Sequence, residues 1–224
     1  MFTKNIHCLG DSHAEAFKHV STEYYWLMTK FYFKFVRGAS ATGLGNPRSK
    51  TNAINEFKKY LDDNSKNNDW LLIQIGEVDC GFVIWFREMQ GKGSVGELFN
   101  ESLNNYKRFV DYLINKGYNK IILVSVPLPT IGDDAPLGEV AEMRSSIRVD
   151  QKTRTVITKK YNSELYSYAK EKNILFLNYE PEITNAETGL VKTCFKNENP
   201  GDHHLNVTKI APILRRKLRK LGFI

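Results

Sequence analysis

Five short runs of strongly apolar residues recur along the chain, and a segment with helical patterning lies between each neighbouring pair. The runs are residues 5–10, 31–36, 70–76, 120–126 and 174–177. The later runs, WLLIQIG, KIILVSV and ILFL, are close to continuously apolar. That is the pattern of strands covered on both faces. Segments 14–18, 51–61, 94–116 and 154–171 read as helices. In 94–116, Val95, Leu98, Phe99, Leu103, Tyr106, Val110 and Leu113 form one apolar stripe, and Gly117 follows as a stop. In 154–171, Ile157, Tyr161, Leu165 and Tyr168 share a face. A last helix turns Ile210, Leu214 and Leu218 inward. Pro212 is tolerated only near a first turn, so this helix is predicted to begin at Thr208 or later. Strands alternating with helices predict an α/β fold with a doubly wound parallel sheet. At 224 residues, with neither repeats nor a linker, residues 1–224 are expected to form one domain.

No run approaches the ~20 apolar residues of a membrane span. The N-terminus lacks the apolar segment of a secretory signal, so a cytoplasmic location is expected. Cys8, Cys80 and Cys194 form no disulfide framework and read as reduced thiols. Cysteines and histidines do not cluster in pairs, so zinc is not expected, and nothing else in the chain implies a metal or a tightly bound cofactor. The net charge is +7, but Lys209, Arg215, Arg216, Lys217, Arg219 and Lys220 supply most of it after Leu205, where no acid falls. The rest of the chain is close to neutral. No basic groove with interleaved aromatics is visible, so a nucleic-acid partner is disfavoured and the basic segment reads as a solvated helix face.

In open α/β sheets, ligands bind beyond the carboxyl ends of the strands. The polar, Gly-rich segments of this chain fall there. Gly10-Asp11-Ser12-His13 follows the first strand and puts Ser12 at a strand-to-helix turn, where backbone N–H groups can meet an oxyanion. A plain capping role for Asp11 or Ser12 is the alternative. Residues 37–46 follow the second strand with three glycines. Gly76-Glu77-Val78-Asp79-Cys80 follows the third. Near the C-terminus, Asp202-His203-His204-Leu205-Asn206 sets an imidazole beside a carboxylate, which is what a serine nucleophile needs as base and orienter. His7, inside a strand, reads as a core histidine, and Trp85 and Phe86 as packing residues.

Together these segments resemble the four blocks of the SGNH (GDSL-like) hydrolases, over essentially the whole chain. GDSH resembles the nucleophile block, ASATG (residues 39–43) the second, IGEVD (75–79) the third and DHHLN (202–206) the last. GASATGL, IGEVDC and a late T..YN..L stretch (Thr158, Tyr161, Asn162, Leu165) are similar to SGNH-like proteins encoded with surface-polysaccharide genes. The resemblance implies a three-layer α/β/α fold with a flavodoxin-like, mostly parallel five-stranded sheet. It implies Ser12 as nucleophile, His204 as base and Asp202 as orienter, with oxyanion donors at the N–H groups of Ser12 and Gly43. The third-block Asn is replaced by Val78, and Asn46 is the candidate substitute donor. Asp11, His13, Glu77 and Asp79 are candidate substrate-binding residues. Asp202 also departs from the family, lying two residues before the histidine rather than three. The implied reaction is cleavage of a small acyl ester, such as an acetyl ester, of a sugar or polysaccharide. An O-acetyltransferase would use the same residues with an acyl donor such as acetyl-CoA. A carbohydrate-binding protein that has lost activity is the third reading. Loops 82–94 and 127–150 are expected to shape the pocket.

Overall fold

Side chains along a strand alternate between faces, and in the central strands β3 (Trp70–Gln74) and β4 (Ile121–Val124) both faces are buried. In the computed structural model, which describes residues 4–20, 29–133, 147 and 149–224, five strands form one parallel sheet. They are β1 (Lys4–Gly10), β2 (Thr29–Phe35), β3 (Trp70–Gln74), β4 (Ile121–Val124) and β5 (Leu175–Leu177), in the order β2-β1-β3-β4-β5. Leu71 and Ile73 point to one layer while Leu72 between them points to the other. Helices α1 (Ala41–Leu44), α2 (Ala53–Asn64), α3 (Ile84–Met89), α4 (Val95–Asn115) and α5 (Gln151–Glu171) supply the first layer, around Phe57, Tyr106, Phe109 and Tyr161. A 3-10 helix (Ser12–His19), α6 (Glu180–Ile183) and α7 (Val207–Lys220) supply the second, around Phe17, Ile210, Leu214 and Leu218. The result is the expected three-layer α/β fold.

The local chemistry explains the ends of the elements. Ser94 and Glu97 close a reciprocal capping box at the start of α4. β3 ends at Gln74, earlier than predicted, because Gly76 takes φ +127°, where an added Cβ would press on Val126 and Tyr161. The predicted helix after GDSH is a 3-10 helix that begins at Ser12. The predicted 82–94 loop is partly helical: a π turn (Asp79–Val83) runs directly into α3. Its Trp85 is buried, and the indole N–H donates to the Cys80 carbonyl at 2.7 Å.

The C-terminal helix starts at Val207, one residue before the earliest start predicted, because the Asn206 side chain caps it by accepting from Thr208 N at 3.1 Å. Pro212 therefore lies inside the helix. It sits on the exposed face, where the carbonyl it leaves without a partner can meet water. Residues 134–146 and 148 of the predicted 127–150 loop lie outside the described residues. No helix among the described residues is long and apolar enough to cross a membrane.

Candidate active site

The first strand delivers Ser12. Gly10 ends β1 so close to its neighbours that a Cβ would lie 2.4 Å from the Gln74 carbonyl oxygen and 2.5 Å from the Ala14 Cβ. The next residue, Asp11, turns its carboxylate back to accept from His13 N at 2.9 Å and caps the 3-10 helix. Ser12 is the first residue of that helix. It stands at the carboxyl end of β1, beside β3, where the strand order reverses and α/β sheets open a crevice.

The other end of the chain arrives at the same point. His204 Nε2 lies 2.8 Å from Ser12 Oγ, and His204 Nδ1 lies 2.6 Å from Asp202 Oδ1. An ionised carboxylate only accepts, so Nδ1 carries the proton and Nε2 is left to accept from the Ser12 hydroxyl. Asp202 also accepts from the His204 backbone N–H at 2.9 Å. That second bond lets an aspartate only two residues away orient the ring. Burial pushes the Asp202 carboxyl up, but the His204 N–H groups outweigh it and hold the group below its usual range. Burial lowers the His204 pKa, and His13 adds to the effect against the opposing pull of Asp202. The ring thus favours its neutral form, the one that can take a proton.

Two supports of this turn carried no signal in the sequence. Asn197 donates to Asp202 Oδ2 at 3.0 Å, and Thr130 Oγ1 donates to the His203 carbonyl at 2.7 Å. Both lie in stretches with no motif.

Of the four residues expected to meet substrate, only His13 lines the cavity beside Ser12. Asp11 and Glu77 are 1% exposed and Asp79 0%, so they have no surface to offer a ligand, and the expectation is corrected for these three. Glu77 lies 3.0 Å from His13 Nε2. Asp79 accepts from Ala41 N at 2.6 Å, Thr42 N at 2.9 Å and Thr42 Oγ1 at 2.6 Å, tying the turn after β2 to the turn after β3. Burial pushes the Asp11 carboxyl up to about 7; His13 opposes this and Glu77 adds to it.

The expected oxyanion donors are also revised. The Gly43 N–H donates to Ser40 Oγ at 2.9 Å, as part of the α1 cap. Asn46 is exposed, and its side-chain oxygen accepts from Arg48 N. Neither residue lines the cavity, whereas Gly38, with φ +71°, does. Of the three residues predicted to supply donors, Ser12 is the one that lines the cavity. Val78, which stands where the family carries Asn, lines it with an apolar side chain. The cavity holds about 500 Å³ and is largely apolar, with Phe82, Pro127, Leu205, Ile210 and Leu214 among its walls. Two polar residues that sequence reasoning passed over, Gln74 and Tyr179, also line it; the Gln74 amide donates to the Tyr179 hydroxyl at 2.9 Å.

The T..YN..L stretch is structural. Tyr161 packs beneath Gly76, and Asn162 brackets Val126 by accepting from its N–H at 2.7 Å and donating to its carbonyl at 3.0 Å. α5 thereby fixes the turns after β3 and β4. His7 is a core residue bonded to Tyr60, as expected. Cys8 and Cys80 are buried, and burial raises both thiols well above their usual range. His13, His203 and His204 bring ring nitrogens within 4.8 Å of one another, a cluster in space that the sequence spacing does not reveal.

The sheet order and its flanking helices give the chain the fold of solved GDSL-like lipases and esterases. No family model and no curated protein matches the chain. Among solved structures, a GDSL-like lipase from Bacteroides thetaiotaomicron aligns at 14% identity with a TM-score of 0.61, over 97% of this chain and 89% of that one. A mutant of an acetyl-xylooligosaccharide esterase from a Geobacillus species aligns at 18% identity with a TM-score of 0.56, over 99% and 95%. An extracellular lipase from Streptomyces rimosus aligns at 12% identity with a TM-score of 0.53, over 97% and 99%.

Proposed function

We propose that the protein is a serine esterase that cleaves a small acyl ester, with an acetylated sugar or polysaccharide as substrate. The observation that carries this reading is the hydrogen-bond chain from Ser12 Oγ through His204 to Asp202. Ser12 Oγ attacks the acyl carbonyl as its proton passes to His204 Nε2. Asp202 holds the resulting imidazolium. The Ser12 N–H, at the first turn of its helix, receives the oxyanion. His204 then returns the proton to the departing alkoxide, and water repeats the sequence on the acyl-enzyme. The sugar portion of the substrate is supported by the fold shared with an acetyl-xylooligosaccharide esterase. The free thiols fit a cytoplasmic setting.

The direct test is labelling of Ser12 by a fluorophosphonate probe, beside cleavage of p-nitrophenyl acetate. A folded wild-type protein that takes up no label and cleaves no ester would end the reading. An acyltransferase on the same residues would instead pass the acyl group from a donor such as acetyl-CoA to a sugar hydroxyl, and would show donor consumption that depends on acceptor.

Two further outcomes are expected. His204 must be neutral to act as base, and its pKa is held below the ordinary 6.5. The acid limb of kcat/KM, measured with a chelator present, should therefore have its midpoint below pH 6.5; a midpoint above it would remove His204 as the titrating base. Val78→Asn should supply the amide donor that the family carries at this position. Loss of one such donor costs an esterase-type site about 10²–10³-fold. Regaining it here is expected to raise kcat on p-nitrophenyl acetate about tenfold; an unchanged kcat in a folded variant would show that position 78 does not face the oxyanion.

A further inference from the structure

Three imidazoles converge at the mouth of the serine site, drawn from two distant parts of the chain. The ring centroids of His13 and His203 are 4.9 Å apart, those of His13 and His204 4.6 Å, and those of His203 and His204 4.0 Å. One ring nitrogen from each lies within 4.8 Å of the other two. A tetrahedral zinc ion holds its nitrogens at about 2.0–2.1 Å, which sets them roughly 3.4 Å apart. Small side-chain rotations close the remaining gap.

The surroundings match what such an ion needs. Zinc-bound histidines usually pair their second ring nitrogen with a carboxylate, which fixes the ring and raises its basicity. Here Asp202 holds His204 Nδ1 at 2.6 Å, and Glu77 lies 3.0 Å from a ring nitrogen of His13. Glu77 is 1% exposed, so its charge is poorly screened by water and favours a cation nearby. The His203 backbone is anchored by Thr130, which keeps the third imidazole in place.

We propose that His13, His203 and His204 form a reversible zinc-binding site. The ion takes His204 through Nε2, the nitrogen that otherwise faces Ser12 Oγ, and a water completes the coordination. Zinc and the Ser12 hydroxyl therefore compete for one lone pair. Occupancy switches the serine off, and removal of the metal restores it. Binding itself stands on the three histidines alone; the switching rests on the esterase reading.

The test uses untagged full-length protein titrated with ZnCl₂ by calorimetry, and with CoCl₂ followed by visible absorption. Wild type is expected to bind one ion and to show the strong d–d bands of tetrahedral cobalt. His203→Ala should weaken binding about 100-fold, and Glu77→Gln about 10–100-fold, the range for losing a supporting carboxylate. Circular dichroism checks that both variants fold. Absence of stoichiometric binding, octahedral cobalt spectra in the wild type, or equal affinity in folded His203→Ala would each overturn the site. Fluorophosphonate labelling separates the two readings. Label lost on adding zinc and regained with EDTA supports the switch; label that persists at saturating zinc overturns it. Tight zinc binding by a protein that never takes label would leave the metal site standing and remove the esterase.

Discussion

Ser12→Ala is expected to lower kcat/KM for p-nitrophenyl acetate by about 10⁶-fold, the scale of losing the serine of a Ser-His-Asp unit. The size follows from what the residue does in the proposed reaction. With Oγ gone, His204 has no nucleophile to deprotonate, and the site can offer only binding and a single backbone donor. His204→Ala should cost a similar factor, and the double variant little more than either, because the two act as one unit. Asp202→Asn should cost less than about 10⁴-fold. About a third of the Asp202 side chain is exposed, and water can take over part of its role. Ser12→Ala removes one half-buried hydroxyl, so the fold should survive with a loss of about 1 kcal/mol in urea unfolding. A folded Ser12→Ala protein that keeps wild-type kcat/KM would exclude Ser12 as the nucleophile.

The largest expected loss of stability belongs to a residue first read as a substrate ligand. Asp79 is completely buried and accepts hydrogen bonds from Ala41 N, Thr42 N and Thr42 Oγ1. Replacing it with Ala leaves these donors facing a cavity, two of them backbone N–H groups that no rotamer can redirect. Each stranded buried donor costs about 1–3 kcal/mol. Partial collapse and entering water recover some of that, so Asp79→Ala is expected to lose about 3–5 kcal/mol by urea unfolding and about 10 °C in Tm. Asp79→Asn keeps one carbonyl oxygen but sets an NH₂ against a backbone N–H, and should fall between wild type and Ala. A loss below 1 kcal/mol for Asp79→Ala would mean that this carboxylate does not hold the two turns together.

The sheet was legible because its central strands are apolar on both faces: Leu71, Leu72 and Ile73 have no polar alternation to mislead. The meeting of Ser12 and His204 was legible for a different reason, both being polar residues in short Gly-bearing segments at strand or helix ends. The oxyanion donors were not. A sequence shows that Gly43 has a free choice of conformation, but not that Ser40, three residues earlier, takes its N–H as a cap. Asn46 looked available because no local pattern reveals that it faces solvent. Glu77 and Asp79 misled in the opposite way. Carboxylates directly after a buried strand read as site residues, and only tertiary contacts show that both point inward, one to His13 and the other to the turn at Ala41. The cluster of His13, His203 and His204 joins residues about 190 apart in the chain, a distance at which spacing carries no information.

The contact between Ser12 and His204 spans 192 positions. On a growing chain, Ser12 leaves the ribosome 192 residues ahead of the partner it needs. The whole of α7 lies beyond His204, and Ile210, Leu214 and Leu218 pin it to the sheet. In the proposed reaction, a chain that stopped before His204 would carry an inert hydroxyl. The earliest moment at which this serine can react is therefore set by the making of His204 and α7, not by its own.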